Sequence, residues 1–164
     1  MTTNRDHQSH IIAAHHEAGH GVGSIYLGIP IQTLSIASEE SGDGRYVNPM
    51  TCKEIRDRGC WEEVIVIGLL GPLVEGLIFR RFDRNKCFDD FWNIKKILIT
   101  FLEDDPSLRR TVKVRCKRRA TEILHSLGFL DAVRDLAQEL LRHKHLDGEQ
   151  VKGIVQRYLA YVRS

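Results

Sequence analysis

Glycines at positions 19, 21 and 23, with a fourth at 28, crowd one short stretch of this chain and constrain its fold more than any other feature. Each glycine inside a helix costs about 1 kcal/mol relative to alanine. A helix of that composition persists only when tertiary packing holds it, and its bare positions let neighbouring elements come close. Counted from His10 at about 100° per residue, Ile11, Ala18, Val22 and Ile25 form one narrow apolar stripe. His16 and His20 fall on the opposite side, flanked by Glu17. The pattern predicts a helix that rests its back on a core and turns its histidines into a cleft. Ser9 is read as its N-cap, and Gly28-Ile29-Pro30 as its end.

Within that helix, His16-Glu17-Ala18-Gly19-His20 is an H-E-x-x-H motif. Helical residues four apart share a face, so the two imidazoles point together. Neutral imidazole nitrogens suit Zn2+, and a carboxylate next to the first histidine can reach a water on the metal. The motif therefore points to zinc-dependent peptide-bond hydrolysis, with His16 and His20 as ligands and Glu17 as general base. His15 lies about 100° away around the helix and cannot join the same coordination sphere. It reads as a packed, hydrogen-bonded histidine. His7, His10, His125, His143 and His145 show no ligand spacing with anything.

The 164 residues suffice for one ordinary domain, read as a zinc-binding part over residues 1–103 and a helical part over 104–164. A 42% apolar and 28% charged composition is that of a globular protein, and a net charge of +2 favours neither nucleic acid nor an acidic partner. Cys52, Cys60, Cys87 and Cys116 form no C-x-x-C pair. They read as reduced thiols of a cytoplasmic protein, without a structural zinc site or redox motif. The first residues hold no signal-peptide pattern, and the most apolar run, residues 64–79, is too short for a membrane span and carries Glu75. No nucleotide-binding G-x-x-x-x-G-K-[ST] loop occurs.

Residues 31–38 read as a strand, 39–44 as a polar turn, 45–47 as a second strand, and Asn48-Pro49 as the end of that unit. Residues 61–79 form a strongly apolar helix with a kink expected at Gly71-Pro72. A polar link at 83–89 leads into a helix over 90–102. Further helices are expected at 107–127, 130–143 and 148–162, the last capped by Asp147 with Gln150. The fold class is mainly α (α+β): a zincin-like active-site helix with a small sheet, followed by a C-terminal helical bundle.

Two histidines leave zinc short of a protein ligand. A third histidine six residues beyond His20 would mark a metzincin; Tyr26 stands there, although Gly23 fits. The acidic candidates are Glu62, Glu63, Glu75, Asp83, Asp89 and Asp90. Asp90 heads the apolar face of Ile94, Ile97 and Phe101, and a buried carboxylate there demands a charged partner. Asp89 points away and is read as a cap. Glu75 shares a face with Val64, Gly68 and Gly71, and could ligate zinc, hydrogen-bond a ligand histidine, or pair with Arg80 or Arg81. Helix geometry favours Asp90 over Glu75 without closing the choice.

In order along the chain, His16-Glu17-Ala18-Gly19-His20, then Gly71-Pro-Leu-Val-Glu75-Gly-Leu-Ile-Phe79, then Asp89-Asp90-Phe91 resemble the peptidase domain of the FtsH family of AAA-linked zinc proteases. Arg119-Ala120-Thr-Glu-Ile-Leu124, Leu136-Ala137-Gln-Glu-Leu-Leu141 and Leu146-Asp147-Gly148 extend the resemblance. It implies zinc held by His16, His20 and Asp90, Glu17 as general base, and Glu75 supporting a ligand from behind. Pro72 stands where the family usually has a basic residue, Asp89 where a small or amide residue is usual, and Gly76 where a second acid is common. The family's membrane anchor and ATPase module have no counterpart in this sequence. The expectation is thus ATP-independent cleavage of unfolded or flexible polypeptide, with a separate unfoldase as a possible partner.

Two rivals stand beside that reading. An inactive peptidase fold could serve as a protein-binding module. Residues 109–119, seven of eleven of them Lys or Arg, could bind nucleic acid, but such a run is more often a solvated helix face balanced by acids such as those at 103–105. No nucleic acid and no membrane are expected as partners. The sequence leaves open the oligomeric state, and also which strand, 31–38 or 44–47, would receive an extended substrate.

Overall fold

The computed structural model of the chain describes residues 4–36, 44–80, 83, 87–102 and 105–159. Helix α1 (Asn4–Leu27) begins earlier than Ser9, which therefore lies inside the helix rather than capping it. Its end is as expected: Gly28 adopts φ 70, and the Ile29 N–H donates to the Ser24 carbonyl at 2.9 Å. The helix does not show a core side and an open side. Ala14, Ala18 and Val22 are fully buried, and His16, Glu17, His20 and Ser24 are buried with them.

The glycines explain this enclosure. Gly19 and Gly23 face α3 (Trp61–Phe79), where a Cβ on Gly19 would stand 3.0 Å from the Leu70 carbonyl oxygen and 3.1 Å from Gly71 Cα. Gly21 faces the other way, where a Cβ would stand 3.0 Å from Leu34 and 3.1 Å from Leu136. Glycines on two sides admit α3 on one flank and α6 (Phe129–His143) with the sheet on the other. Helix α3 runs through Pro72 as a single element, its Ile65, Val66, Leu70 and Val74 fully buried.

The sheet has three antiparallel strands in the order β2-β1-β3, with β1 at Thr33–Ile36, β2 at Gly44–Val47 and β3 at His145–Asp147. The turn expected over 39–44 lies almost wholly outside the described residues. Strand β1 is central, Leu34 pairing with Tyr46 on one side and Leu146 on the other, so it offers no free edge to a substrate. Strand β3 has no counterpart in the sequence reading. Its last residue, Asp147, still caps α7 (Gly148–Leu159) as expected: Gln150 N–H donates to Asp147 Oδ1 and Asp147 N–H to Gln150 Oε1, both at 2.9 Å.

Helix α2 (Cys52–Arg58) was also not anticipated, although its signals are in the chain: a Thr51–Glu54 capping box opens it and Gly59 at φ 65 closes it. Helix α4 (Phe88–Leu102) buries Ile94 and Leu98 against α3, and Asp89 lies exposed in its first turn instead of capping it. Helix α5 (Pro106–Leu124) starts at an Asp105 cap whose carboxylate accepts the Leu108 N–H at 2.9 Å. It carries the basic run against α3, where Arg115 pairs with Glu62 and Arg119 with Glu63. Those two acids are thereby committed away from any metal. Among the described residues the fold is mainly helical with one small sheet, and no helix is long and apolar enough to cross a membrane.

The two kinds of glycine should respond oppositely to alanine. Gly19→Ala drives a methyl into the Leu70–Gly71 backbone and should lose about 1–2 kcal/mol net, overpacking outweighing the propensity gain. Gly153 in α7 has nothing within 4 Å of an added Cβ, and Gly153→Ala should gain about 0.5–1 kcal/mol. Urea unfolding midpoints of both variants check this.

Candidate metal centre

Three side chains from two helices converge beside the α1–α3 crossing. His16 and His20 come from α1, one turn apart, and Asp90 from the first turn of α4. The Nε2 atoms of the histidines are 3.1 Å apart; Asp90 Oδ2 stands 3.0 Å from His16 Nε2, and Asp90 Oδ1 3.4 Å from His20 Nε2. With metal–ligand bonds of about 2.0–2.1 Å, neighbouring donors of a tetrahedral zinc site stand about 3.3 Å apart. The observed spacing fits. Helix α3 passes over the donors at Gly71, where a Cβ would collide with His20 Nε2 and lie 2.9 Å from His16 Nε2. Glycine leaves that volume to whatever the donors hold.

The hydrogen bonds behind the rings set which nitrogen is free. A carbonyl can only accept, so His20 Nδ1 carries its hydrogen and donates to the Ile67 carbonyl at 2.8 Å. An ionised Glu75 likewise accepts from His16 Nδ1 at 3.2 Å. In the neutral rings both Nε2 atoms then present lone pairs to each other and to a carboxylate, an arrangement that a metal cation or a proton would complete. The donor set therefore fits Zn2+.

Electrostatics agree with that arrangement. Burial disfavours charge on both rings, yet the Asp90 carboxylate beside them, aided at His16 by Cys87 and Glu75, lifts His16 well above the ordinary histidine range and His20 less far. Asp90 is held well below the usual carboxylate range: its desolvation is outweighed by His20 and His16. A proton and a metal ion thus compete for the same lone pairs. His20 also packs on the Tyr46 ring of β2 at 5.7 Å; burial pushes that phenol up to about 12 against the 2.6 Å hydrogen bond it shares with Ser24.

Glu17 is 6% exposed, its carboxyl raised by burial against the pull of His20 and His16, and its Oε2 has no hydrogen-bond partner. Glu75 is 2% exposed, lies behind His16, and leaves its own Oε1 unpartnered. Of the residues considered for this site, His16, Glu17, His20, Glu75 and Asp90 lie together. Asp90 is placed among the donors and Glu75 behind one of them, while Glu62 and Glu63 lie in ion pairs with α5. His15 Nδ1 donates to the Ile11 carbonyl of its own helix at 2.8 Å, and its ring meets Phe79 edge-on.

One residue was missed. Cys87 is fully buried with Sγ 3.9 Å from Glu75 Oε2, and no spacing in the sequence links a lone thiol to the motif. His10, two turns before Glu17, is 7% exposed with Nε2 unpartnered. No protein-family model matches the chain, and no curated protein matches it.

Glu75 holds the His16 ring from behind without reaching the three converging donors. For a centre loaded with zinc, Glu75→Ala should therefore leave the ion bound but loosen it about 10–100-fold. A competition titration against a chromophoric chelator measures this, and outright loss of zinc would make Glu75 a ligand.

Proposed function

We propose that the chain is a zinc metallopeptidase of the FtsH-like kind, hydrolysing peptide bonds in unfolded or flexible polypeptide. The observation that carries this reading is Glu17, a buried carboxylate with an unpartnered oxygen on the turn between two converging imidazoles. A metal-stabilised binding module would account for His16, His20 and Asp90. It gives no use to an acid buried at a cost with one oxygen left without a hydrogen bond.

His16, His20 and Asp90 would hold the ion. When bound, Zn2+ would lower the pKa of a coordinated water to about 7 and polarise a scissile carbonyl. Glu17 takes up a proton at its carboxylate and returns it to the leaving amine; its raised pKa suits a group that must both accept and donate. Glu75 and the Ile67 carbonyl fix the two rings so that Nε2 faces inward. Tyr46 places β2 beside His20, and since β1 is paired on both sides, β2 is the strand on which an extended peptide would add.

A substrate that must lie extended in such a site has to be unfolded first, and a folded one would reach it only with the help of an unfoldase. All four cysteines are free thiols, which supports a reducing, cytoplasmic setting.

Glu17→Gln and Asp90→Ala should fail differently. Glutamine keeps the shape but cannot accept the proton, so zinc content should stay unchanged while turnover falls about 10²–10⁴-fold. Asp90→Ala should lose zinc on dialysis, and with it activity and thermal stability, because metal binding contributes to folding. Elemental analysis, a quenched-peptide assay and melting curves with and without chelator separate the two. An active Glu17→Gln protein would refute the mechanism; a fully loaded Asp90→Ala protein would refute the ligand set.

Substrate choice gives an independent check. Casein should be cleaved at the same rate with or without ATP, and a tightly folded domain should survive. Gel time courses read both, and unaided degradation of the folded domain would overturn the restriction to flexible chains.

A further inference from the structure

The His16 ring has two faces of donors, and only the Nε2 face is used by the centre described above. Behind it, His16, Glu75 and Cys87 each offer a ligand atom, and these atoms lie within 4.8 Å of one another. The nitrogen-to-oxygen distance is 3.2 Å and the sulfur-to-oxygen distance 3.9 Å. With Zn–S bonds of about 2.3 Å and Zn–N and Zn–O bonds of about 2.0–2.2 Å, a tetrahedral ion would separate such donors by about 3.3–3.6 Å. Cys87 is 0% exposed and Glu75 2% exposed, and Glu75 Oε1 is buried with no hydrogen-bond partner. The carboxylate thus has acceptor capacity that the protein itself leaves unmet.

We propose that His16 Nδ1, Glu75 and Cys87 form a second metal site, selective for thiophilic divalent cations and mutually exclusive with the Nε2-side centre. The selectivity follows from the thiolate, which prefers soft ions over the oxygen-seeking Mg2+ and Ca2+. The exclusivity follows from the ring. A neutral imidazole has one lone pair, so binding at Nδ1 moves the ring hydrogen to Nε2, while Cys87 releases its thiol proton to solvent. His16 is then withdrawn from His20 and Asp90. A thiophilic cation arriving behind the ring switches the front centre off without touching Glu17. The proposal shares His16 with the peptidase reading but does not depend on catalysis.

The test is a cadmium titration of the chelator-treated full chain, following sulfur-to-cadmium charge-transfer absorption in the ultraviolet. Asp90→Asn, which weakens the front centre while keeping its shape, should take up a single equivalent of cadmium with the thiolate band. Cys87→Ser should lose the band, with circular dichroism confirming that it folds. Absence of the band in Asp90→Asn, or its persistence in Cys87→Ser, would overturn the second site. Zinc content is read separately in the Asp90→Asn, Cys87→Ser double variant, where the thiolate cannot contribute: full retention would count against the front ligand set and leave the thiolate result standing.

Discussion

The backbone contact of Gly19 on Gly71 fixes the distance between α1 and α3, and the buried polar cluster depends on it. With a side chain at either position the helices would stand further apart. The Ile67 carbonyl could then no longer reach His20 Nδ1 at 2.8 Å, nor Glu75 the His16 ring at 3.2 Å. The helix propensity lost at three glycines is offset by burial on both flanks, where Leu34, Leu70 and Leu136 are fully enclosed. Close approach and ring orientation are one design.

That design concentrates ionisable groups where water is scarce. Glu17, Glu75, His16 and His20 are all buried, and Asp90 is partly so. Desolvation works against charge on His16, His20, Glu17 and Asp90, and mutual attraction is what lifts the two imidazoles and depresses Asp90. Even so, two carboxylate oxygens and one imidazole nitrogen in and around this helix remain without partners. Cores rarely tolerate such groups, and they are found most often where a ligand or a reaction completes the bonding.

Asp90 stood out in the sequence because it heads the Ile94, Ile97 and Phe101 face, where stabilising the helix dipole would not by itself require a buried acid; its role as a ligand came from the family resemblance. Glu75 was legible because it shares its face with Gly68 and Gly71, where another helix must come close. The Asp147–Gln150 cap and the bounds of α3 follow from local rules, and they appear as read. What failed were inferences about surroundings. Periodicity suggested one buried stripe on α1, whereas glycines on two faces let neighbours enclose it, and that is a tertiary property. Ser9 resembles a cap only if the helix starts there, and the preceding polar residues are helical too. Strand β3 is three residues long and exists through its pairing with β1, not through its own composition. Cys87 joins the cluster by a turn of chain that no spacing rule describes.

The pairing of Thr33 with Asp147 and Leu34 with Leu146 joins positions on the order of a hundred residues apart. Loop-closure entropy of that size must be met before the pairing contributes anything, so the β1–β3 pairing is expected to form later than the local β1–β2 pairing. During synthesis, β1 emerges with hydrophobic Leu34 and Ile36 and waits for most of the chain before its second edge is covered. An uncovered central strand is a template for pairing with another nascent chain. The histidine helix lies against that same strand, so its packing matures on the same clock. The geometry of the His16, His20 and Asp90 cluster is therefore expected to mature with the arrival of the C-terminal helices rather than with the appearance of the motif itself.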